Sequence, residues 1–532
     1  MMLTPANERP RCEAPSTMQL TDALDRSFGE LSALVRIHAA NRSHCVAMID
    51  DQTRLTWHEI DSLMDRCAVA LQREGVRKGN MVALIGSNSV IYAAIYLAIL
   101  RIGAVATPLP TSATPASIAA MIEDSGARIL FFNTIAADAL DAARLSPSIH
   151  RIALDGSAGG TSLDTWLATE GSIPEPVTVE PGDPFNVIYS SGTTGVPKGI
   201  VQSHGMRWGH IKRGIERIGY SADAVTLLST PLYSNTTLAA FAPAVGAGGR
   251  IVLMAKFDVR RFLEMAVRER VTHYVLVPVQ YRRLLSHPDF DSFDLSSSRT
   301  KTSTSALFPA QLKAEVLQRW PGALIDVYGM TEGGGTCLLM AHEHRDKLHT
   351  VGRPADGHDI RLIDEAGREV PRGSIGEVVG RSGAMMTGYL NQADKTREAE
   401  WYDPEGRRYI RHGDIGRFDE DGFLILLDRA KDMIISGGFN IYPSDLEAVL
   451  KGHPDVVDAA VVAKPSEVWG ETPVGFVVLA DKCAEPSAIL AYANENLGKM
   501  QRLAQIHIID ELPRNAIGKV LKRELRNRLK TA

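Results

Sequence analysis

A run that reads as a buried strand, Met81-Val82-Ala83-Leu84-Ile85, leads into helical spacing over residues 92–102 and then into a second apolar run, Ala104-Val105-Ala106-Thr107-Pro108. Strand, helix and strand in that order is the grammar of a parallel crossover. The pattern returns at residues 127–132, 185–189 and 250–254; the last is followed by helical spacing over 259–269 and a further run at 272–277. Residues 55–77 also carry apolar side chains near helical spacing. The expected fold class is therefore α/β, with a large N-terminal domain of parallel-rich sheets flanked by helices. At 532 residues the chain is too long for one core, and about three or four are expected.

Between residues 356 and 427 the texture changes to short alternating runs with Gly and Asp turns, such as Ile360-Arg361-Leu362-Ile363 and Gly376-Glu377-Val378-Val379-Gly380, which predicts a β-rich subdomain. Phe423-Leu424-Ile425-Leu426-Leu427 reads as a strand, and the charged run Asp428-Arg429-Ala430-Lys431-Asp432 and the pair Gly437-Gly438 follow it. The domain boundary is placed there. Beyond it, residues 456–463 and 474–479 read as strands and residues 487–497 and 521–529 as helices, enough for a small α+β domain. The expected division is a disordered leader over residues 1–18, an N-terminal domain over 19–428, a hinge over 429–432 and a mobile C-terminal domain over 433–532. Residues 90–100 form the most apolar window. They span about half of the roughly 20 residues a membrane helix needs, and Arg101 ends them, so a buried helix and no integral membrane contact are expected.

The stretch Tyr189-Ser190-Ser191-Gly192-Thr193-Thr194-Gly195-Val196-Pro197-Lys198-Gly199 has the parts of a polyphosphate cradle. Its glycines let the backbone turn and approach phosphate oxygens, the hydroxyls of Ser190, Ser191, Thr193 and Thr194 donate, and Lys198 adds positive charge. It is not a Walker A loop, because Lys198 follows Pro197 and precedes Gly199. A lone run of this kind is more often a turn, but four distant segments fit the same ligand. They are Tyr328-Gly329-Met330-Thr331-Glu332, Tyr409-Ile410-Arg411-His412-Gly413-Asp414, the charged run at 428–432, and Leu512-Pro513-Arg514-Asn515-Ala516-Ile517-Gly518-Lys519. Tyr328 can offer a ring to adenine, Thr331 a hydroxyl to a phosphate and Glu332 a carboxylate to a metal ion. Asp414 is suited to accept both ribose hydroxyls, and Arg429 to add a bond on the ribose or phosphate side. Plainer roles stand beside these: a strand end for Tyr328, a turn for Asp414, a surface ion pair for Arg429, and for Lys519 a place beside a basic helix with Lys522, Arg523, Arg526 and Lys530.

Taken in this order, the five segments resemble the adenylate-forming acyl-CoA synthetases, a family that includes non-ribosomal peptide adenylation domains and beetle luciferases. The resemblance runs from about Thr56 to the end of the chain. It implies ATP and Mg2+ as cofactors and CoA as cosubstrate. A carboxylate and ATP would give an acyl-adenylate and pyrophosphate, and CoA would then give the thioester and AMP. A carboxylate approaching a phosphate at 4 Å meets a repulsion of about 4 kcal/mol at an effective dielectric near 20, so such a site needs fixed positive charge. The resemblance makes Lys519 the adenylation lysine, with Glu332 and Lys198 completing the catalytic set and Glu332 holding the metal. It places Asp326 with the nucleotide-binding residues, Lys431 at the hinge, and Gly437, Gly438 and Trp469 on the CoA side.

The acid pocket departs from the usual family pattern. Ser234, in Pro231-Leu232-Tyr233-Ser234-Asn235, stands where a gating histidine is common, Ser303-Thr304-Ser305-Ala306-Leu307 replaces a Gly-Gly-Ala-Pro-Leu-like loop, and His412 replaces the usual Thr. Tyr233, Asn235, Gln280, Gly329, Met330 and Gly334 are the expected walls, and they favour a medium-chain, cyclic or aryl acid. A net charge of -5 offers no basic field for nucleic acid. Five scattered cysteines form no disulfide framework or zinc site, so a reducing cytoplasm is expected; a homodimer is left open. The rivals are an enzyme that loads a carrier-protein thiol and, from another class, a non-catalytic nucleotide-binding regulator, against which intact Lys198, Glu332, Asp414, Arg429 and Lys519 speak.

Overall fold

The computed structural model describes residues 17–190, 198–429, 432–436, 439–466, 469–480, 484–498, 501–515 and 518–531. Two large sheets form its centre. In the first, the strands Ala323–Gly329, Thr300–Ser303, His273–Leu276, Val225–Leu228, Arg250–Leu253 and Val46–Ile49 run parallel in that spatial order. In the second, Pro184–Ser190, Val105–Leu109, Met81–Ile85, Ile129–Phe132 and His150–Ala153 do the same. The helices Leu31–Asn41, Trp57–Arg73, Val90–Arg101, His204–Arg213 and Asn235–Gly246 share one apolar core with the inner faces of both sheets. Further helices cover the outer faces, Val259–Arg268, Pro278–Leu285 and Ala310–Arg319 on the first sheet and Pro115–Ser125 and Thr134–Ala142 on the second. The result is α/β, with parallel-rich sheets between helical layers.

Val90–Arg101 shows why this layering follows from sequence. Apart from Ile91 the whole helix is buried, as a helix apolar on every face must be. Ser89 caps its start by accepting from Tyr92 N, and Arg101 ends it with buried bonds to Asp61 and Asp65. No described helix is long and apolar enough to cross a membrane.

Some boundaries differ from expectation. The helix foreseen from residue 55 starts at Trp57, because Thr56 and Glu59 form a capping box and Arg54–Thr56 is a short edge strand. The last helix starts at Lys522. The run at 185–189 pairs antiparallel with Lys198–Ser203 on its other side, so the glycine-rich stretch joins two hairpin strands. Cys45 is disulfide-bonded, which the scattered cysteines did not announce, while Cys67 and Cys337 are free and buried.

The β-rich segment is an antiparallel sheet of Asp359–Ile363, Gly376–Arg381, Arg408–Phe418, Glu400–Tyr402 and Leu424–Arg429. After it, Ile434–Ser436, Phe439–Ile441, Val456–Ser466, Gly470–Leu479 and Gln505–Ile508 form a separate sheet with its own cores.

Burial lowers the pKa of His38, His204 and His273 from 6.5 to about 4. Each is held neutral in the fold, so its contribution is complete above pH 6.5 and is lost as the pH falls from 6.5 towards 4, where only the unfolded chain takes up the proton. The expected loss by about pH 5 is roughly 2 kcal/mol for each histidine. Urea denaturation at neutral pH and at about pH 5 measures it, and an unchanged midpoint would contradict the assignment.

Candidate functional site

Chemistry-bearing residues gather at one edge of the first sheet. Residues 229–236, 277–280, 303–305 and 328–332 follow the carboxyl ends of four of its parallel strands, the edge where α/β sheets bind ligands.

Lys198 opens the second strand of the hairpin, opposite Ser190. Its Nζ sits 5.0 Å from the centre of the Tyr389 ring. The Tyr389 hydroxyl donates to Glu332 Oε1 at 2.8 Å, and Tyr389 lies on a short strand paired to the Lys198 strand. Burial, reinforced by the Glu332 carboxylate, holds the Tyr389 phenol protonated and well above its usual pKa. One tyrosine thus fixes both the cation and the carboxylate, with Glu332 further anchored by Met386 N donating to its carbonyl at 2.8 Å.

Tyr328 stacks on His412, ring centres 5.3 Å apart, and its hydroxyl donates to Asp414 Oδ2 at 2.7 Å. His412 Nδ1 lies 3.0 Å from that hydroxyl and Nε2 lies 2.6 Å from Gly334 O. One face of the tyrosine is therefore taken by the histidine. Asp414 is 8% exposed and pairs in register with Arg429 on the next strand. Asp326 is placed differently from expectation. It is 4% exposed and its carboxylate is engaged by the buried Lys313 Nζ at 2.7 Å, so its side chain is not offered to a nucleotide. Burial pushes its pKa up and Lys313 opposes that rise.

Gly334, two residues past Glu332, is pressed against the antiparallel sheet at Gly380, where an added Cβ would lie 1.6 Å from Gly334 O.

On the acid side, Tyr233 is half-buried, and burial raises the pKa of its phenol, opposed by the neighbouring Thr111 and Ser112 hydroxyls. Gln280 is buried. Its oxygen accepts from Val277 N at 3.1 Å and its nitrogen donates to Ser229 Oγ at 3.3 Å, so its amide shapes the wall from within. Asn235 begins the helix Asn235–Gly246, Met330 is half-buried, Gly329 is exposed and Gly334 is buried. Ser305 has φ 77°, in the left-handed region, and its hydroxyl meets Thr236 Oγ1. The departure at 303–307 is thus tied to the acid-side helix.

Lys519 arrives from the C-terminal domain. Gly518 has φ 77°, and an added Cβ would lie 2.6 Å from Val279 Cγ1, so its turn rests on the helix Pro278–Leu285 beside Gln280. Lys519 N donates to Asn515 Oδ1 at 2.8 Å, and Leu521 N closes the loop on Pro513 O at 2.7 Å. Trp469 is 51% exposed. Ser191, Gly192, Thr193, Thr194, Lys431, Gly437 and Gly438 lie outside the described residues, as do the side chains of Ser190 and Arg429. Among the described residues no three His, Cys, Asp or Glu cluster as metal ligands.

Tyr389, Thr236, Gln202 and Arg207 were not foreseen. His412 and Ser305 carried a signal, as departures from the family pattern.

Residues 35–390 match the AMP-binding enzyme family and residues 445–519 match the AMP-binding enzyme C-terminal domain. An indoleacetate–CoA ligase from Aromatoleum aromaticum is 32% identical, covering 93% of this chain and 98% of its own. A fatty acid–[acyl-carrier-protein] ligase from Streptomyces coeruleorubidus is 31% identical, covering 94% and 97%. The ATP-bound structure of MatB from Rhodopseudomonas palustris superposes with a TM-score of 0.85 at 27% identity, covering 94% of this chain and 99% of that one.

Proposed function

The chain belongs to the AMP-binding enzyme family and is an acid–thiol ligase of the AMP-forming acyl-CoA synthetase kind, and we propose that it activates a medium-chain, cyclic or aryl carboxylic acid and passes it to CoA. The observation that carries this reading is the seating of the Gly518–Lys519 turn on Val279, at the same sheet edge as Tyr328, Glu332 and Asn235.

In the first step a carboxylate oxygen attacks the α-phosphorus of ATP and pyrophosphate leaves. Lys519 lies between the two anions and offsets their repulsion where charge builds up. Lys198 and the hydroxyls of Ser190, Ser191, Thr193 and Thr194 hold the departing phosphates. Asp414 accepts from the ribose, and the Tyr328 face not covered by His412 meets the adenine. Glu332, together with phosphate oxygens, would hold Mg2+, whose preference for one or two carboxylates plus substrate phosphates fits a site whose described residues form no three-ligand protein cluster. When bound, that ion neutralises phosphate charge.

In the second step the thiolate sulfur forms a bond to the acyl carbon, the bond from that carbon to the AMP oxygen breaks, and the thiol proton goes to solvent. The domain turns at Lys431, bringing Gly437 and Gly438 beside the thiol and Trp469 towards the CoA adenine.

A fatty acid–[acyl-carrier-protein] ligase among the relatives keeps a carrier-protein acceptor as the second reading. Acyl transfer from the enzyme-bound adenylate to free CoA and to a phosphopantetheinylated carrier protein, followed by mass spectrometry, separates the two. We expect acyl-CoA; acylation of the carrier alone would contradict the CoA reading.

A further inference from the structure

Arg207 is 1% exposed on the helix His204–Arg213, and no carboxylate pairs with it among the described residues. Burial lowers its pKa to about 10, so it stays charged at neutral pH. Burying a cation without a counter-charge is costly, and amide oxygens are the compensation here. Arg207 Nε donates to Asn186 Oδ1 at 3.0 Å, and a terminal nitrogen donates to Gln202 Oε1. Its other terminal nitrogen faces His210 Nδ1 at 3.4 Å.

The two ends of an amide are nearly the same shape, and a donor-only neighbour tells them apart. With its oxygen turned to Arg207, Asn186 points Nδ2 at Gln202 Oε1, 2.9 Å away. Gln202 Oε1 then accepts two bonds, and Nε2 must point the other way. It donates to Thr331 O at 2.7 Å and to Asn235 Oδ1 at 3.3 Å. Asn186 and Gln202 are fully buried, so no water can relax this order. Asn235 Oδ1 is thereby occupied, while its Nδ2 has no hydrogen-bond partner among the described residues.

We infer that Arg207 and Gln202 are positioning residues that fix Asn235 as a hydrogen-bond donor, so that the enzyme prefers carboxylic acids carrying an acceptor oxygen or nitrogen on their apolar body. This rests on the reading above that Asn235 lines the acid pocket. The same relay holds the Thr331 carbonyl, so one buried cation sets both the acid-side wall and the backbone beside Glu332.

The test uses the full-length enzyme, ATP, Mg2+ and benzoates and cinnamates bearing methoxy (acceptor), ethyl (near-isosteric, neither) or amino (donor) groups at each ring position, read as acid-dependent pyrophosphate release. The wild type is expected to favour methoxy over ethyl by about 10- to 100-fold in kcat/KM at one ring position. Asn235→Leu should bring that ratio close to one. Gln202→Glu keeps the acceptor for Arg207 but cannot donate to Asn235, so Asn235 turns over and the amino acid becomes preferred to the ethyl one. Arg207→Met should also collapse the ratio, with Arg207→Lys restoring part of it. A merely structural Arg207 would lower kcat/KM for all three acids alike and leave the ratio intact, which overturns the inference. If Arg207→Met does not unfold cooperatively, Gln202→Glu decides by the same readout. Wild-type release that ignores the substituent everywhere overturns this inference and leaves adenylation standing; no acid-dependent release with any acid removes the reading beneath it.

Discussion

Lys519→Ala slows acid-dependent pyrophosphate release by about 100- to 1000-fold, the loss expected when a fixed charge is removed from a developing anionic transition state. ATP is still expected to bind, because the proposed reading has the nucleotide held by groups on the large domain, and calorimetric titration checks this. Thioester formation from a preformed acyl-adenylate should survive, since the role proposed for the lysine is where the carboxylate meets the α-phosphate and not where the thiol attacks. The geometry makes the prediction sharp. Gly518 takes a left-handed φ of 77° and rests on Val279, so the turn presents Lys519 at the helix Pro278–Leu285. Release near the wild-type rate would show that Lys519 is only a member of the basic C-terminal surface.

Gly380→Ala is expected to destabilise the large domain by about 3 kcal/mol or more, the upper range for overpacking, because the clash is with backbone. The new Cβ would lie 1.6 Å from Gly334 O and 2.8 Å from His412 Nε2, and neither can yield without moving the stack that holds Tyr328 and Asp414. Nucleotide affinity should fall with stability. Gly182→Ala is the control, since a Cβ there meets nothing within 4 Å, and its effect should stay within about 0.5 kcal/mol. Equal denaturation midpoints for the two variants would contradict this account of the packing.

Much of the fold was legible because its strands are buried on both faces and read as unbroken apolar runs, as Met81–Ile85 does. The helix Val90–Arg101 was legible for the same reason. Lys198–Ser203 was not, because Gln202 breaks the apolar run; that glutamine is buried only because Arg207, Asn186 and Thr331 satisfy it. Asn235–Gly246 carries an internal Pro243 and begins in a polar stretch, so periodicity alone gave no start. In the site, Tyr328, Glu332, Asp414 and Lys519 stood out because each sits in a short motif whose residue types suit one ligand. Tyr389 and Arg207 carry no such motif, and their roles exist only once distant strands are paired. Asp326 shows the converse, an acidic residue beside a nucleotide motif that folding spends on Lys313.

As an AMP-forming acid–thiol ligase, this chain joins a carboxylic acid to the inner phosphorus of ATP. Acid-dependent exchange of labelled pyrophosphate into ATP, run without CoA, tests it most directly, because only a reversible adenylation returns label to the triphosphate. Exchange is expected to appear with acid, vanish without it and be lost in Lys519→Ala. Release of ADP and phosphate, or exchange indifferent to acid, would contradict it.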